Sequence, residues 1–160
     1  AGTSAQAAGA GTQARNPVAA QGLPVPVPLR FTAAAVDGST IDGAALAAQP
    51  TVAWFWTPWC TICRAEAPDV AAAAAKFGDQ VNFVGIAGLG QVSAMQRFVS
   101  DTGVGGFAHA VDSDGSIWQG FGVIGQPSFA FVHPDGQIEV VPGSMSPGDL
   151  EKRIAGLLAS

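Results

Sequence analysis

The segment TVAWFWTPWCTIC, residues 51–63, constrains this chain more than any other. TVAWFWT is a near-continuous apolar run, the pattern of a strand buried on both faces. After a Pro-Trp pair a helical pattern starts at Cys60 and runs to Phe77. Its stripe holds Cys63, Ala67, Val70, Ala74 and Phe77, with Gly78 beyond its end. Both cysteines of the chain therefore fall where a buried strand gives way to a helix.

The elements around this segment complete an α/β pattern. LRFTAAAV and STID, joined by Asp37-Gly38, read as two short strands of a hairpin. Asp42-Gly43 and AALAAQ predict a short helix stopped by Pro50. VNFVGIAG is a second buried strand, residues 93–102 predict a helix with Met95, Phe98 and Val99 inward, and residues 115–121 a shorter one carrying Trp118. PSFAFVHP and QIEVVPG, parted by Pro134-Asp135-Gly136, predict an antiparallel hairpin. Ser146 caps a last helix with Pro147 at its first position and Asp149 near its positive end. The central order β-α-β-α-β-β-α implies a mixed sheet with helices on both faces.

Residues 1–28, rich in Ala, Gly, Gln and Pro, show neither period and predict a flexible tail before a domain over 29–160. The tail suits a tether to a membrane anchor or an inert leader alike. The opening at Ala1 without Met is expected of a chain that has lost an export signal, or of one trimmed otherwise. Lys and Arg total 7 against 12 acidic residues and form no cluster, which argues against a nucleic-acid surface. No apolar run approaches the ~18 residues of a membrane span.

The helix start has chemical consequences. Unpaired N–H groups and the helix dipole favour a thiolate at Cys60, while Cys63, one turn on, is placed to resolve a mixed disulfide. The residues favour this redox reading over two others. A zinc knuckle needs about four ligands, and only the distant His109 and His133 could help. An inert disulfide closing so small a loop restrains little of the unfolded chain. The two histidines read as loop or strand-end residues without catalytic duty, and Asp112 and Asp114 as turn residues.

With FWTPWCTIC, the following RAEAP, the DG turn and GQPS in view, the chain resembles the thioredoxin superfamily, in its exported TlpA/ResA/DsbE-like branch. WFWTPWC, FVGIA and GQPSFAFV resemble the secreted DsbE/DsbF-type proteins of actinobacteria. The resemblance implies a thioredoxin-like fold, a central mixed sheet flanked by helices with an N-terminal β-hairpin extension. It also implies an extracytoplasmic thiol:disulfide oxidoreductase whose redox centre is the Cys60–Cys63 pair, with no metal or other cofactor. Pro68 matches the proline that kinks the active-site helix, and Pro127 the cis-proline facing the disulfide. The backbone of Gln126 would then pair with extended substrate. Glu66 matches a glutamate near the cysteines, where a raised pKa would let it exchange a proton with Cys63. Trp59, Thr61 and Ile62 are expected to border the substrate.

Two features depart from thioredoxins proper. Their strand Asp, six residues before the first cysteine, is Trp54 here, and the dipeptide is Thr61-Ile62 where many reductants carry proline. The expected activity is oxidation of cysteines in exported proteins by a monomer that an unknown membrane partner resets. The alternatives are a reductant in the same compartment, as for apocytochrome c thiols, and a non-catalytic peptide-binding domain. Trp54, Phe55 and Trp56 read as core, and Arg64 as a solvent-facing residue.

Overall fold

The computed structural model describes residues 24–159, so residues 1–23 of the expected tail lie outside it. Packing begins at Val25, ahead of Leu29 where the sequence sets the start of the domain. Val25 is buried, and its carbonyl accepts from Arg30 Nε at 2.9 Å. A 3₁₀ turn, Val27–Leu29, then buries Leu29. The hairpin follows, with β1 (Thr32–Ala34) antiparallel to β2 (Thr40–Asp42). The residues after Asp42 form a 3₁₀ helix, Gly43–Ala48, capped by the Asp42 side chain, rather than an α-helix. Six residues ending at Gln49-Pro50 leave little length for α-helical bonds, and the tighter form suits short pieces.

The main sheet has β3 (Thr51–Trp56) at its centre, parallel to β4 (Asn82–Ala87) and antiparallel to β6 (Ser128–Val132). On one side β4 pairs in parallel with β5 (Ala108–Val111), and on the other β6 pairs antiparallel with β7 (Ile138–Pro142). The strand order is β5-β4-β3-β6-β7. Crossovers run through α1 (Thr61–Phe77), α2 (Val92–Thr102) and α3 (Ser116–Phe121), and α4 (Pro147–Ala159) closes the chain. A bridge from Ala35 to Ala110 attaches the hairpin to the β5 edge, which leaves that edge covered.

Strand alternation on β3 divides the interior in two. Trp54 and Trp56 point into a core with Cys63, Val70, Phe98 and Ile154, beneath α1, α2 and α4. Ala53 and Phe55 point the other way, into a core with Ile117, Trp118 and Phe121 of α3. Burial of Cys63, Glu66, Ala67, Val70 and Ala73 sets the inward face of α1, while Ala74 and Phe77 are only partly covered. Ser146 Oγ accepts from Asp149 N at 3.2 Å, the cap expected for the last helix.

β5 is absent from the sequence reading, and with it the place of His109 changes. That histidine is neither in a loop nor at a strand end. It stands inside β5, buried, opposite Gly85 of β4. A Cβ on Gly85 would overlap His109 Nδ1, so the glycine supplies the space the imidazole fills. Among the described residues no helix is long and apolar enough to cross a membrane.

Candidate active site

β3 ends at Trp56, whose carbonyl accepts from Gly88 N at 3.0 Å, and the next three residues turn the chain into α1. The turn closes with Cys60 N donating to Thr57 O at 3.2 Å. Cys60 is the N-cap of α1 in extended conformation, and its Sγ accepts from Cys63 N at 3.0 Å. A sulfur thus occupies the position where capping oxygens usually satisfy the orphan amides. Cys60 and Cys63 form a disulfide with Cα atoms 5.2 Å apart. Cys60 is 6% exposed and Cys63 0%. Cys63 is fully covered, so what exposure the pair has belongs to Cys60.

Trp59, Thr61 and Ile62 are all exposed around this sulfur, Trp59 to 60%. The Trp59 indole donates to Leu89 O at 2.8 Å and so is fixed rather than free. Pro68 lies exposed inside α1, where it supplies no N–H to the carbonyl of Arg64. The Gln126–Pro127 bond is cis. Ser128 pairs with Phe55, so this bond lies at the end of the sheet from which β3 runs into the cysteines. Pro127 is buried, Gln126 half-buried, and Pro127 O accepts from Gly143 N at 2.8 Å. A groove beside them is lined by Ile124, Gly125, Gln126, Pro127, Pro142 and Gly143.

Glu66 is buried one turn beyond Cys63 on the same face of α1. Its Oε2 accepts from Trp54 Nε1 at 2.8 Å and its Oε1 from Met145 N at 3.2 Å. Burial raises its pKa, and the two donated hydrogen bonds offset part of that rise. Trp54 occupies the place of the missing strand Asp and aims its only polar atom at the carboxylate. The sequence assigned Trp54 to the core and Glu66 to the cysteines without joining them. A buried tryptophan needs an acceptor, which is the signal that could have found the pair.

Further contacts were not legible. Trp56 Nε1 donates to His109 Nδ1 at 3.1 Å, and His109 Nε2 lies 2.7 Å from Val104 O. Those partners require the neutral ring with its proton on Nε2, and burial lowers the His109 pKa to about 4. Arg64 is exposed, as expected, and also makes contacts the sequence did not show. It reaches Pro58 O at 3.4 Å and Asp101 at 3.4 Å while its guanidinium lies 5.0 Å from the Phe98 ring centroid. The Asp112 carboxylate accepts from Ile117 N at 3.0 Å and Trp118 N at 2.9 Å, capping α3. Among the described residues no group of three His, Cys, Asp or Glu could hold a metal ion.

One reachable sulfur joined to one covered sulfur, at the mouth of a helix fed by the central strand, is what disulfide exchange requires. Fold and site together define a thioredoxin-fold thiol:disulfide oxidoreductase. The chain belongs to the AhpC/TSA family, whose sequence model matches residues 24–141. The soluble secreted antigen MPT53 of Mycobacterium tuberculosis and of Mycobacterium bovis is 44% identical over 132 residues, 81% of this chain and 75% of the relative. The structure of Mycobacterium tuberculosis DsbF in mixed oxidised and reduced forms matches with a TM-score of 0.81 and 47% identity, over 84% of this chain and 99% of that one. A secreted Mycobacterium tuberculosis disulfide oxidoreductase homologous to Escherichia coli DsbE matches at 0.75 and 43% identity, over 81% and 97%.

Proposed function

We propose that this protein works outside the cytoplasm and donates its Cys60–Cys63 disulfide to cysteine pairs in exported proteins. The observation that carries the direction is the position of Cys60 Sγ at the N-cap, accepting the Cys63 amide proton. Each such donor stabilises a thiolate, and an oxidant is a protein whose reduced, thiolate form is stabilised. The relatives described as secreted support the location, since disulfides persist in oxidising compartments.

A substrate thiolate attacks Cys60 Sγ, the Cys60–Cys63 bond breaks, and Cys63 leaves with the electron pair. Glu66, its pKa raised, supplies a proton to the Cys63 sulfur. A second substrate thiolate attacks the substrate sulfur of the mixed disulfide and releases Cys60 as thiolate at the helix N-terminus. Two electrons have moved from substrate to protein, and an external acceptor must remove them before the next cycle. The exposed rim of Trp59, Thr61 and Ile62 and the half-buried Gln126 are the surfaces that border the substrate.

The test mixes the oxidised protein with a reduced peptide carrying two cysteines and follows the peptide disulfide. One equivalent of peptide disulfide per protein is expected, and none from Cys60→Ser. Retention of the thiol form by the peptide, with the protein left oxidised, would exclude the donor role.

A further inference from the structure

Leu89 adopts the left-handed backbone region at φ 51°, alone among the described non-glycine residues. A bulky side chain is disfavoured there, whereas glycine adopts it freely. Glycines flank Leu89 on both sides, and both are needed by the packing. A Cβ on Gly88 would come within 2.9 Å of the Trp118 ring, and one on Gly90 within 2.6 Å of Pro58. The loop is therefore seated against the active-site turn at one glycine and the second core at the other. Between them a leucine is held 64% exposed in a conformation that costs the fold stability. Nothing in the interior uses that side chain.

Its position indicates what does. The Leu89 carbonyl receives the Trp59 indole at 2.8 Å, and Trp59 directly precedes the reachable cysteine. The Trp59 ring is thus tied to the Leu89 backbone, and Trp59, Leu89 and Val92 are all exposed, with no charged residue from 88 to 92. A polypeptide whose sulfur meets Cys60 comes beside Trp59, the preceding residue, and Trp59 is hydrogen-bonded to Leu89. We propose that Leu89 is a specificity residue that takes an apolar side chain flanking the substrate's attacked cysteine. This rests on the disulfide-donor reading, and the occupant it selects is an extended, apolar segment of an unfolded chain.

The experiment uses two reduced peptides, each with a cysteine pair, differing only in leucine or serine beside the attacked cysteine. Oxidation of each is followed with wild type, Leu89→Asn and Leu89→Gly. Asparagine keeps the size and tolerates the left-handed backbone, and glycine relieves it. Both variants should lose about tenfold in the single-turnover second-order rate constant for the leucine peptide, as expected for one apolar contact, with the serine peptide unchanged. Exchange with dithiothreitol and the reduction potential should also stay at wild-type values. An unchanged preference in both variants, or an equal loss for both peptides, overturns the proposal. A wild type that reacts with dithiothreitol and with neither peptide overturns the donor reading itself, and this inference with it.

Discussion

The indole N–H of Trp54 lies 2.8 Å from Glu66 Oε2 and joins the strand that leads into the cysteines to the helix that holds them. The same carboxylate takes the Met145 amide through Oε1, which anchors the approach to α4. A buried carboxylate is thus fixed on both oxygens a single turn from Cys63. Its proton affinity is set by burial against those two donors.

Trp54→Phe removes one donor from the charged form and should raise the Glu66 pKa further. The pH profile of exchange with dithiothreitol should move to higher pH in Trp54→Phe and lose that limb in Glu66→Gln. The unpaired oxygen should cost Trp54→Phe about 1–3 kcal/mol in denaturant unfolding, beyond its lost volume. A pH profile unmoved by either variant contradicts the proton-carrying role.

Glu66 also makes stability depend on pH. Because its folded pKa is raised, its contribution is full below the ordinary carboxylate value and is lost as pH rises through the folded value. Unfolding free energies of Glu66→Gln and wild type should therefore diverge in favour of the variant as pH increases across that window. Parallel curves would show that Glu66 is not desolvated.

His109 has the opposite sign. Its folded pKa is lowered from 6.5 to about 4, so its stabilisation is complete above 6.5 and lost as pH falls towards 4. The loss for a single group is roughly 3 kcal/mol. Calorimetry between pH 4 and 7 should show that slope in wild type and not in His109→Gln. Gly85→Ala, which drives a methyl into the imidazole, should cost about 1–3 kcal/mol or more at pH 7.

How far these features could be read in advance differs by element. β3, α1, the β6–β7 hairpin and the Ser146 cap are written in local pattern, since each combines a clear period with its own stop signal. β5 is not. AHAV is four residues long, follows Gly105, Gly106 and Phe107, and places a histidine where an apolar residue would signal a strand. That histidine belongs to the core only because Gly85 and the Trp56 indole, distant in sequence, make room and supply a donor. The cysteine site was legible because its chemistry is local: strand, turn, CxxC, helix. The partners of Glu66 were not, because Trp54 and Met145 reach it through tertiary packing alone. The same holds for Leu89, whose backbone conformation follows from what its neighbouring glycines touch.

The two cysteines should separate cleanly by substitution. Cys63→Ser leaves the reachable sulfur without its resolving partner, so Cys60 should accumulate a mixed disulfide with a cysteine peptide added as its activated disulfide. Cys60→Ser leaves a sulfur that is 0% exposed and should trap little. Mass spectrometry of the adducts distinguishes them, and equal trapping by both variants would contradict the assignment of roles.

The proposed direction, giving up a disulfide rather than removing one, has a direct thermodynamic test. Equilibration with a glutathione redox buffer measures the reduction potential of the Cys60–Cys63 pair. Stabilisation of the Cys60 thiolate at the helix N-cap predicts a value well above thioredoxin's, towards about −150 mV or higher. A value of about −250 mV or lower would contradict it and make the protein a reductant.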